Sequence, residues 1–330
     1  MDSIRVGMIG AGWIAQEHRR VLDSLADAEL VAVCDVDRER AETLAESAGA
    51  RAYLDWRELL DAEELGALIV CTPPLAHREP AVAALEQGLP LYLEKPIART
   101  AEDAAEIVAA AERTGTVCAI GYQWHALDLL DQLPGLLEGQ QIGLLLGTSV
   151  GPTQSRPWFI DMRAGGGNLL ERGSHHMDLA RTVAGEVVSV QAAAGRVRLA
   201  RSGGGAGDID DALTILLHLA SGALATIVIA WTRPGQPGSY GLDIVASEAT
   251  LRLALDPDFS LTGVSKGQPV NRHASFPPLE RSMRCFLEAV RQRDPAAVVC
   301  TPRDAAGTLA VAIAAERALE TSRAVAVETS

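Results

Sequence analysis

The sequence predicts an α/β protein, with a doubly wound parallel sheet at its N-terminus and a second α/β domain rich in antiparallel strands behind it. Three observations lead to this. Short apolar runs alternate with helical stretches from residue 4 to residue 120, the pattern of βαβ units. After Gly121 the pattern changes, and short turns such as Ser221-Gly222 join neighbouring strand-like runs, as in antiparallel hairpins. The length of 330 residues suits two domains, taking roughly 100–200 residues for each. The expected division is 1–122 and 123–330.

The elements follow in order. Residues 4–9 form a short apolar strand and 13–23 a helix; 30–34 and 38–47 repeat the pair. Residues 68–71 are a third strand, followed after Pro73-Pro74 by a helix over 79–86. Residues 91–93 and 117–120 are further strands on either side of a helix over 101–113. These strands are near-continuous apolar runs, as expected where helices cover both faces of a parallel sheet. Beyond Gly121 a helix is expected over 127–137. A glycine-rich turn then leads to a helix over 169–183. Strands follow at 187–193, 212–220, 223–231, 241–246 and 250–255, and helices at 279–293 and 304–321 close the chain. The glycine-rich stretch 202–207 precedes no helix start and reads as a surface loop.

The net charge of −14, with no run of Lys and Arg, disfavours nucleic acid and anionic membranes as partners. It leaves room for one anionic nucleotide held by backbone N–H groups at a helix start. The first nine residues lead straight into a strand without the marks of a signal peptide, and no apolar run is long enough to span a membrane. The five cysteines are scattered, with no CxxC, so neither a disulfide framework nor a metal site is expected. A reducing cytoplasm is the expected location.

Gly10-Ala11-Gly12-Trp13-Ile14-Ala15 lies between the first strand and the first helix. In that context GxGxxA reads as a dinucleotide fingerprint. Gly10 permits the turn, Gly12 lets a pyrophosphate approach the backbone, and Ala15 lets the helix pack closely. Outside that reading it is a plain glycine turn. Asp35 ends the second strand, where an acid bonds ribose hydroxyls. It repels a 2′-phosphate, which favours NAD over NADP, while Arg38 nearby softens the preference. The other reading of Asp35 is a helix cap.

Two further stretches carry more information. One is Cys71-Thr72-Pro73-Pro74-Leu75-Ala76-His77, followed by Glu94-Lys95-Pro96. The other is Gly165-Gly166-Gly167-Asn168-Leu169-Leu170-Glu171-Arg172-Gly173-Ser174-His175-His176-Met177-Asp178. With the fingerprint and the closing helices, the whole chain resembles the glucose–fructose oxidoreductase, inositol dehydrogenase and rhizopine catabolism (Gfo/Idh/MocA) family. The resemblance implies a Rossmann domain over 1–122 and a domain for substrate binding and oligomerisation over 123–330, built on a large open, mostly antiparallel sheet. It implies hydride transfer between NAD(P) and the carbinol carbon of a sugar, polyol, inositol or related compound, in a homodimer or homotetramer. It places the family's lysine at Lys95, its histidine at His175 and its last acid at Asp178. Cofactor contacts are expected from Gly10, Gly12, Trp13, Ile14, Asp35, Cys71, Thr72, Pro73, His77, Glu94, Lys95 and Gln123.

The chemistry agrees. Oxidising a secondary alcohol needs a base near neutral pKa, which His175 supplies. It also needs positive charge at the developing alkoxide, which Lys95 supplies. On a regular helix Glu171, His175 and Asp178 share one face, and His176 points elsewhere as a packing residue. The competing reading is a solvated polar face. The family more often carries Asp at position 171, and Asn and Arg in the stretch where this chain has Gln123, Trp124 and His125. Trp158, Phe159, Asp161 and Arg163 are candidates for substrate contacts, Trp158 and Arg163 foremost. A redox-neutral glycosidase or epimerase using bound NAD, and a non-enzymatic ligand sensor, are the alternative functions.

Overall fold

The computed structural model describes residues 3–152, 165–196, 210–233, 235–256 and 258–328. The chain forms two compact units. The first comprises residues 1–123 and 279–306, and the second 124–278 and 307–330. Residues 279–306 group with the first unit, although they follow the second in the chain.

Unit 1 begins with β1 (Ile4–Ile9), α1 (Trp13–Asp23), β2 (Ala28–Cys34), α2 (Arg38–Ala48), β3 (Arg51–Tyr53) and α3 (Trp56–Ala62). It continues with β4 (Ala67–Val70), α4 (Arg78–Glu86), β5 (Leu91–Leu93), α5 (Ala101–Thr114) and β6 (Cys118–Ile120). The strands form one parallel sheet in the order β3-β2-β1-β4-β5-β6. β4 and β5 are buried along their whole length, as continuous apolar strands in a doubly covered sheet must be. Side chains fix the helix starts. Asp37 caps α2 through the N–H of Arg40, and Thr100 caps α5 through that of Asp103. The sequence pattern misses β3 and α3, because β3 is a three-residue edge strand, mostly exposed, with no apolar run to mark it.

Unit 2 contains α6 (Leu133–Leu136), β7 (Ile142–Pro152), a π-helical turn (Leu169–Gly173) and α7 (Ser174–Ala184). β8 (Val187–Gly195), β9 (Ala212–Leu219), β10 (Leu224–Thr232), β11 (Ser239–Ala246) and β12 (Ala249–Asp256) follow. β13 (Ser260–Ser265), β14 (Gln268–His273) and β15 (Val325–Ala326) complete its strands among the described residues. They make a sheet in the order β14-β13-β12-β11-β7-β10-β9-β8-β15. Among the described residues every pairing is antiparallel except β7 with β10. The helix expected over 127–137 is reduced to a 3-10 turn and the four-residue α6, with Pro134 and Gly135 interrupting a regular run. Two long helices, α8 (Pro278–Gln292) and α9 (Pro302–Thr321), lie near the C-terminus. α8 supplies Met283, Phe286 and Leu287 to the core that holds Val6, Met8 and Tyr92 in unit 1. This packing brings residues 279–306 back to the first unit. Among the described residues no helix is long and apolar enough to cross a membrane.

β7 escapes sequence reading because Gly143, Gly147, Gly151 and Pro152 look like loop residues. The structure gives two of these glycines a packing role. A Cβ on Gly147 would lie 2.9 Å from Cδ2 of His176, and one on Gly151 would overlap the ring of Tyr240. A Cβ on Gly173 would lie 3.0 Å from Cδ1 of Ile229. Glycine thus lets the helical segment sit closer to the sheet than larger residues allow. Ala225, Ile227 and Ile229 of β10 are buried, whereas Leu224 and Val228 on the opposite face of that strand are each more than a third exposed.

His176 is fully buried over Gly147, and its Nε2 lies 3.2 Å from the carbonyl oxygen of Gly241. Burial pulls its pKa down to about 4, against the opposing pull of backbone hydrogen bonds. The unfolded chain therefore takes up a proton between pH 6.5 and 4 that the folded chain refuses, so stability falls as pH drops through that window. A non-titrating His176→Gln variant keeps a donor for Gly241. Its unfolding free energy, followed by urea titration at pH 7 and 4.5, should decline less than the wild type's, by on the order of 2 kcal/mol.

Candidate functional site

In unit 1 the candidate groups stand in a row at the carboxyl ends of the strands. Gly10 follows β1, Asp35 follows β2, Cys71 to Pro73 follow β4, Glu94 and Lys95 follow β5, and Gln123 comes shortly after β6. In a doubly wound sheet these ends frame the ligand crevice, which lies where the strand order reverses between β1 and β4.

Gly10 has a φ of +94°, and a Cβ there would stand 2.7 Å from the carbonyl carbon of Cys71. No other residue fits that turn without displacing the next strand. Gly12, the N-cap of α1, has open space where its Cβ would be, and the first turn of α1 carries no acidic residue. The helix N-terminus is thus left approachable and electropositive, as pyrophosphate binding requires. Trp13 is exposed beside it, Ile14 is half-buried, and Ala15 packs out of solvent.

Asp35 accepts the N–H of Ala11 and that of Asp37, both at 2.8 Å. Its carboxylate therefore braces the fingerprint turn. Its cationic neighbour is Arg40, at 3.3 Å. Arg38, which the sequence suggested for that place, pairs instead with Glu42 one turn along α2.

His77 differs from its expected role as a cofactor contact. It is fully buried. Its Nε2 lies 2.8 Å from the carbonyl of Thr72, and its Nδ1 lies 3.0 Å from that of Pro96 and 3.3 Å from that of Ile97. Burial lowers its pKa against those carbonyls. It ties the loop after β4 to the loop after β5 and is a brace. Cys71 is buried too, and burial, aided by the Glu94 carboxylate, pushes its thiol well above the usual range. It is a wall of the turn and no nucleophile. Glu94 is also turned inward: one carboxylate oxygen lies 2.7 Å from Nε2 of His18, and the other accepts the N–H of Lys95 at 3.1 Å. Lys95 itself is half-buried, and the Lys95–Pro96 peptide is cis. Gln123 opens a 3-10 turn and is half-buried.

In unit 2, Gly166 and Gly167 adopt φ of +72° and +65°, a conformation that the triple glycine permits at the entry to the helical segment. His175 is 8% and Asp178 1% exposed, so the solvated-face reading does not hold. The ring of Trp124 packs on both histidines, with its centroid 4.7 Å from that of His175 and 5.1 Å from that of His176. Asp178 lies 3.4 Å from Nδ1 of His125 and accepts the hydroxyl of Thr308 at 3.3 Å. A buried carboxylate needs such partners. Arg181 holds Thr308 in turn, at 2.7 Å.

Glu171 departs from expectation. Residues 169–173 form a π turn, with one residue more than an α turn, so the i, i+4 alignment of Glu171 with His175 does not apply. His175 and Asp178 remain one turn apart on α7. Trp158, Phe159, Asp161 and Arg163 lie outside the described residues.

Sequence reasoning missed His18, Arg40 and Thr308. A signal existed for His18, which continues the buried stripe of Ala15 and Leu22 along α1. Thr308 had none, being 130 residues from Asp178.

The chain is similar to known proteins in sequence and in fold. Residues 4–122 match the profile described as an oxidoreductase family with an NAD-binding Rossmann fold, and residues 146–252 match the GFO/IDH/MocA C-terminal domain. The chain is 28% identical to the myo-inositol 2-dehydrogenase of Thermotoga maritima, over 98% of this chain and 99% of that one. It is also 28% identical to the rhizopine catabolism protein MocA of Rhizobium meliloti, over 97% and 96%. Its fold matches that of levoglucosan dehydrogenase, solved with NADH and levoglucosan, with a TM-score of 0.87 over 100% of both chains at 19% identity. With both domain profiles matched in order, and relatives aligned from end to end, the chain belongs to the Gfo/Idh/MocA family of NAD-dependent oxidoreductases.

Proposed function

We propose that this protein transfers hydride between NAD and the carbinol carbon of an inositol, other polyol or sugar. The end-to-end alignment with an enzyme named myo-inositol 2-dehydrogenase carries this reading. The residues fit the cofactor: the turn at Gly10, the open helix start at Gly12 and the carboxylate of Asp35 would hold pyrophosphate and ribose. NAD, when bound, supplies the hydride acceptor. Lys95 places an ammonium at the substrate oxygen and stabilises the alkoxide, and His175 takes the hydroxyl proton. Asp178, anchored by Thr308 and His125, binds substrate. Glu171 is a weaker candidate for the proton path, given the π turn. The cofactor work falls to 1–122 with the returning segment 279–306, and substrate binding and oligomerisation to most of 123–330.

A second copy of the chain is the natural cover for the open face of the unit 2 sheet, where Leu146, Leu224 and Val228 are exposed. The acidic net charge supports a small-molecule partner over nucleic acid or membrane. Free cysteines, most of them buried, fit a reducing cytoplasm.

Reduction of NAD, followed by its absorbance over a panel of inositols, polyols and aldoses, should occur with at least one compound. It should fall at least ~100-fold in Lys95→Ala and in His175→Ala. NAD bound without reduction on any compound would turn the reading toward redox-neutral chemistry or sensing. Asp35→Ser removes one of the two carboxylates paired with Arg40, Asp37 being the other, and the repulsion of a 2′-phosphate with it, so the NADP-to-NAD ratio of kcat/KM should rise about tenfold or more. In sedimentation velocity the wild type should run as a dimer or tetramer and Val228→Glu as a smaller species. A wild type that is monomeric at all concentrations would remove the dimer and tetramer from the proposal.

A further inference from the structure

α1 starts at the cofactor turn and carries His18 on its buried stripe. The imidazole is wholly out of solvent. Its edge-on contact with Tyr92, at 5.1 Å between centroids, fixes the ring plane, and the hydroxyl of Tyr92 is in turn held 2.9 Å from Oγ of Ser282. Nε2 meets Oε1 of Glu94 at 2.7 Å, while Nδ1 has no hydrogen-bond partner among the described residues. Against a carboxylate acceptor, Nε2 is the donor. The second oxygen of Glu94 takes the backbone N–H of Lys95. On the other side the carboxylate is confined by Gly121, where a Cβ would lie 3.0 Å from Cδ of Glu94.

Glu94 thus has one oxygen for His18 and one for the main chain of Lys95. A buried carboxylate oxygen stripped of its donor is expensive to leave unsatisfied, so without His18 the side chain must turn or draw in water. Turning withdraws the acceptor from Lys95, and a water in place of the packed ring holds the carboxylate less firmly. We infer that His18 is a positioning residue, which acts through Glu94 to fix the backbone of Lys95 and ties that lysine to the helix whose N-terminus receives the cofactor. The catalytic consequence rests on the role proposed for Lys95; the positioning does not.

The chain offers a direct readout, since Lys95 and Lys266 are its only lysines. Lys266 is exposed on the turn between β13 and β14 and serves as the internal reference. A short pulse of N-hydroxysuccinimidyl acetate on the full-length protein, read by peptide mass spectrometry, gives the acylation rate of Lys95 relative to Lys266. His18→Phe keeps a ring against Tyr92 and removes the donor, whereas His18→Gln restores a donor at the ε position. The ratio should change by about threefold or more in His18→Phe and return toward wild type in His18→Gln, with the Kd for NAD held within about twofold. On a substrate found by the panel, kcat should fall about tenfold in His18→Phe while KM stays near its wild-type value. A ratio unchanged in folded His18→Phe overturns the inference, as does equal disturbance in both variants. If His18→Phe does not fold, Gly121→Ala displaces the same carboxylate from the opposite side, and an unchanged ratio there overturns it too. Lys95→Ala keeps the claims apart: activity surviving in it defeats the catalytic reading and leaves the labelling result standing.

Discussion

The central strands of the unit 1 sheet are buried on both faces, and this leaves their ends as the places where charged groups can stand. β4 and β5 expose none of their residues. A charged side chain in mid-strand would have to be desolvated without compensation. The carboxyl ends escape that constraint, and Asp35, Thr72, Glu94 and Lys95 all lie there. Two buried histidines are set behind that row, and both are spent on holding loops. His77 joins the loop after β4 to Pro96 and Ile97, and His18 meets Glu94. Lys95 is therefore bracketed on both sides in sequence by residues whose position a buried imidazole sets.

Unit 2 meets a different constraint. Its helix must present His175 and Asp178 while resting on a sheet, and a helix of ordinary side chains would stand too far off. Gly147 on the strand and Gly173 on the π turn remove the bulk that would separate them. The extra residue of the π turn changes the facing of Glu171 before the regular spacing of α7 resumes at Ser174. Trp124 then closes over both histidine rings, so that His175 is held by packing as well as by its own helix.

What could be read from the sequence follows from these constraints. The strands of unit 1 are legible because double burial forces apolar runs, and β8 to β12 are legible because one covered face produces alternation. β3 is illegible because an edge strand of three residues needs neither. β7 is illegible for a more interesting reason: its glycines serve close packing, and glycine in a sequence looks the same whether it opens a turn or admits a neighbour. Lys95, His175 and Asp178 stand out because they sit in short, distinctive stretches, Glu94-Lys95-Pro96 and the run from the triple glycine to Asp178. His18 does not, since a histidine in an apolar stripe reads as core until Glu94 is found beside it, 76 residues away. The return of residues 279–306 to unit 1 leaves no local mark at all, being a matter of which apolar face Met283 and Phe286 find.

The composition adds one argument about Lys95 that no motif supplies. Of the 29 basic residues only two are lysines. A chain that uses arginine almost everywhere keeps lysine after β5, where the two cations differ in what they can do. Guanidinium spreads its charge over a planar fork of five donors suited to carboxylates and phosphates, and it does not give up a proton in proteins. Ammonium concentrates its charge at one atom and can lose a proton when its surroundings ask for it. In the reaction proposed above, a single alkoxide oxygen forming on a carbinol carbon calls for the second kind of cation: compact and able to exchange protons. It must also be held in place, since its flexible stem does not fix it, and the anchoring of the Lys95 backbone by Glu94 supplies that at the first atom of the residue.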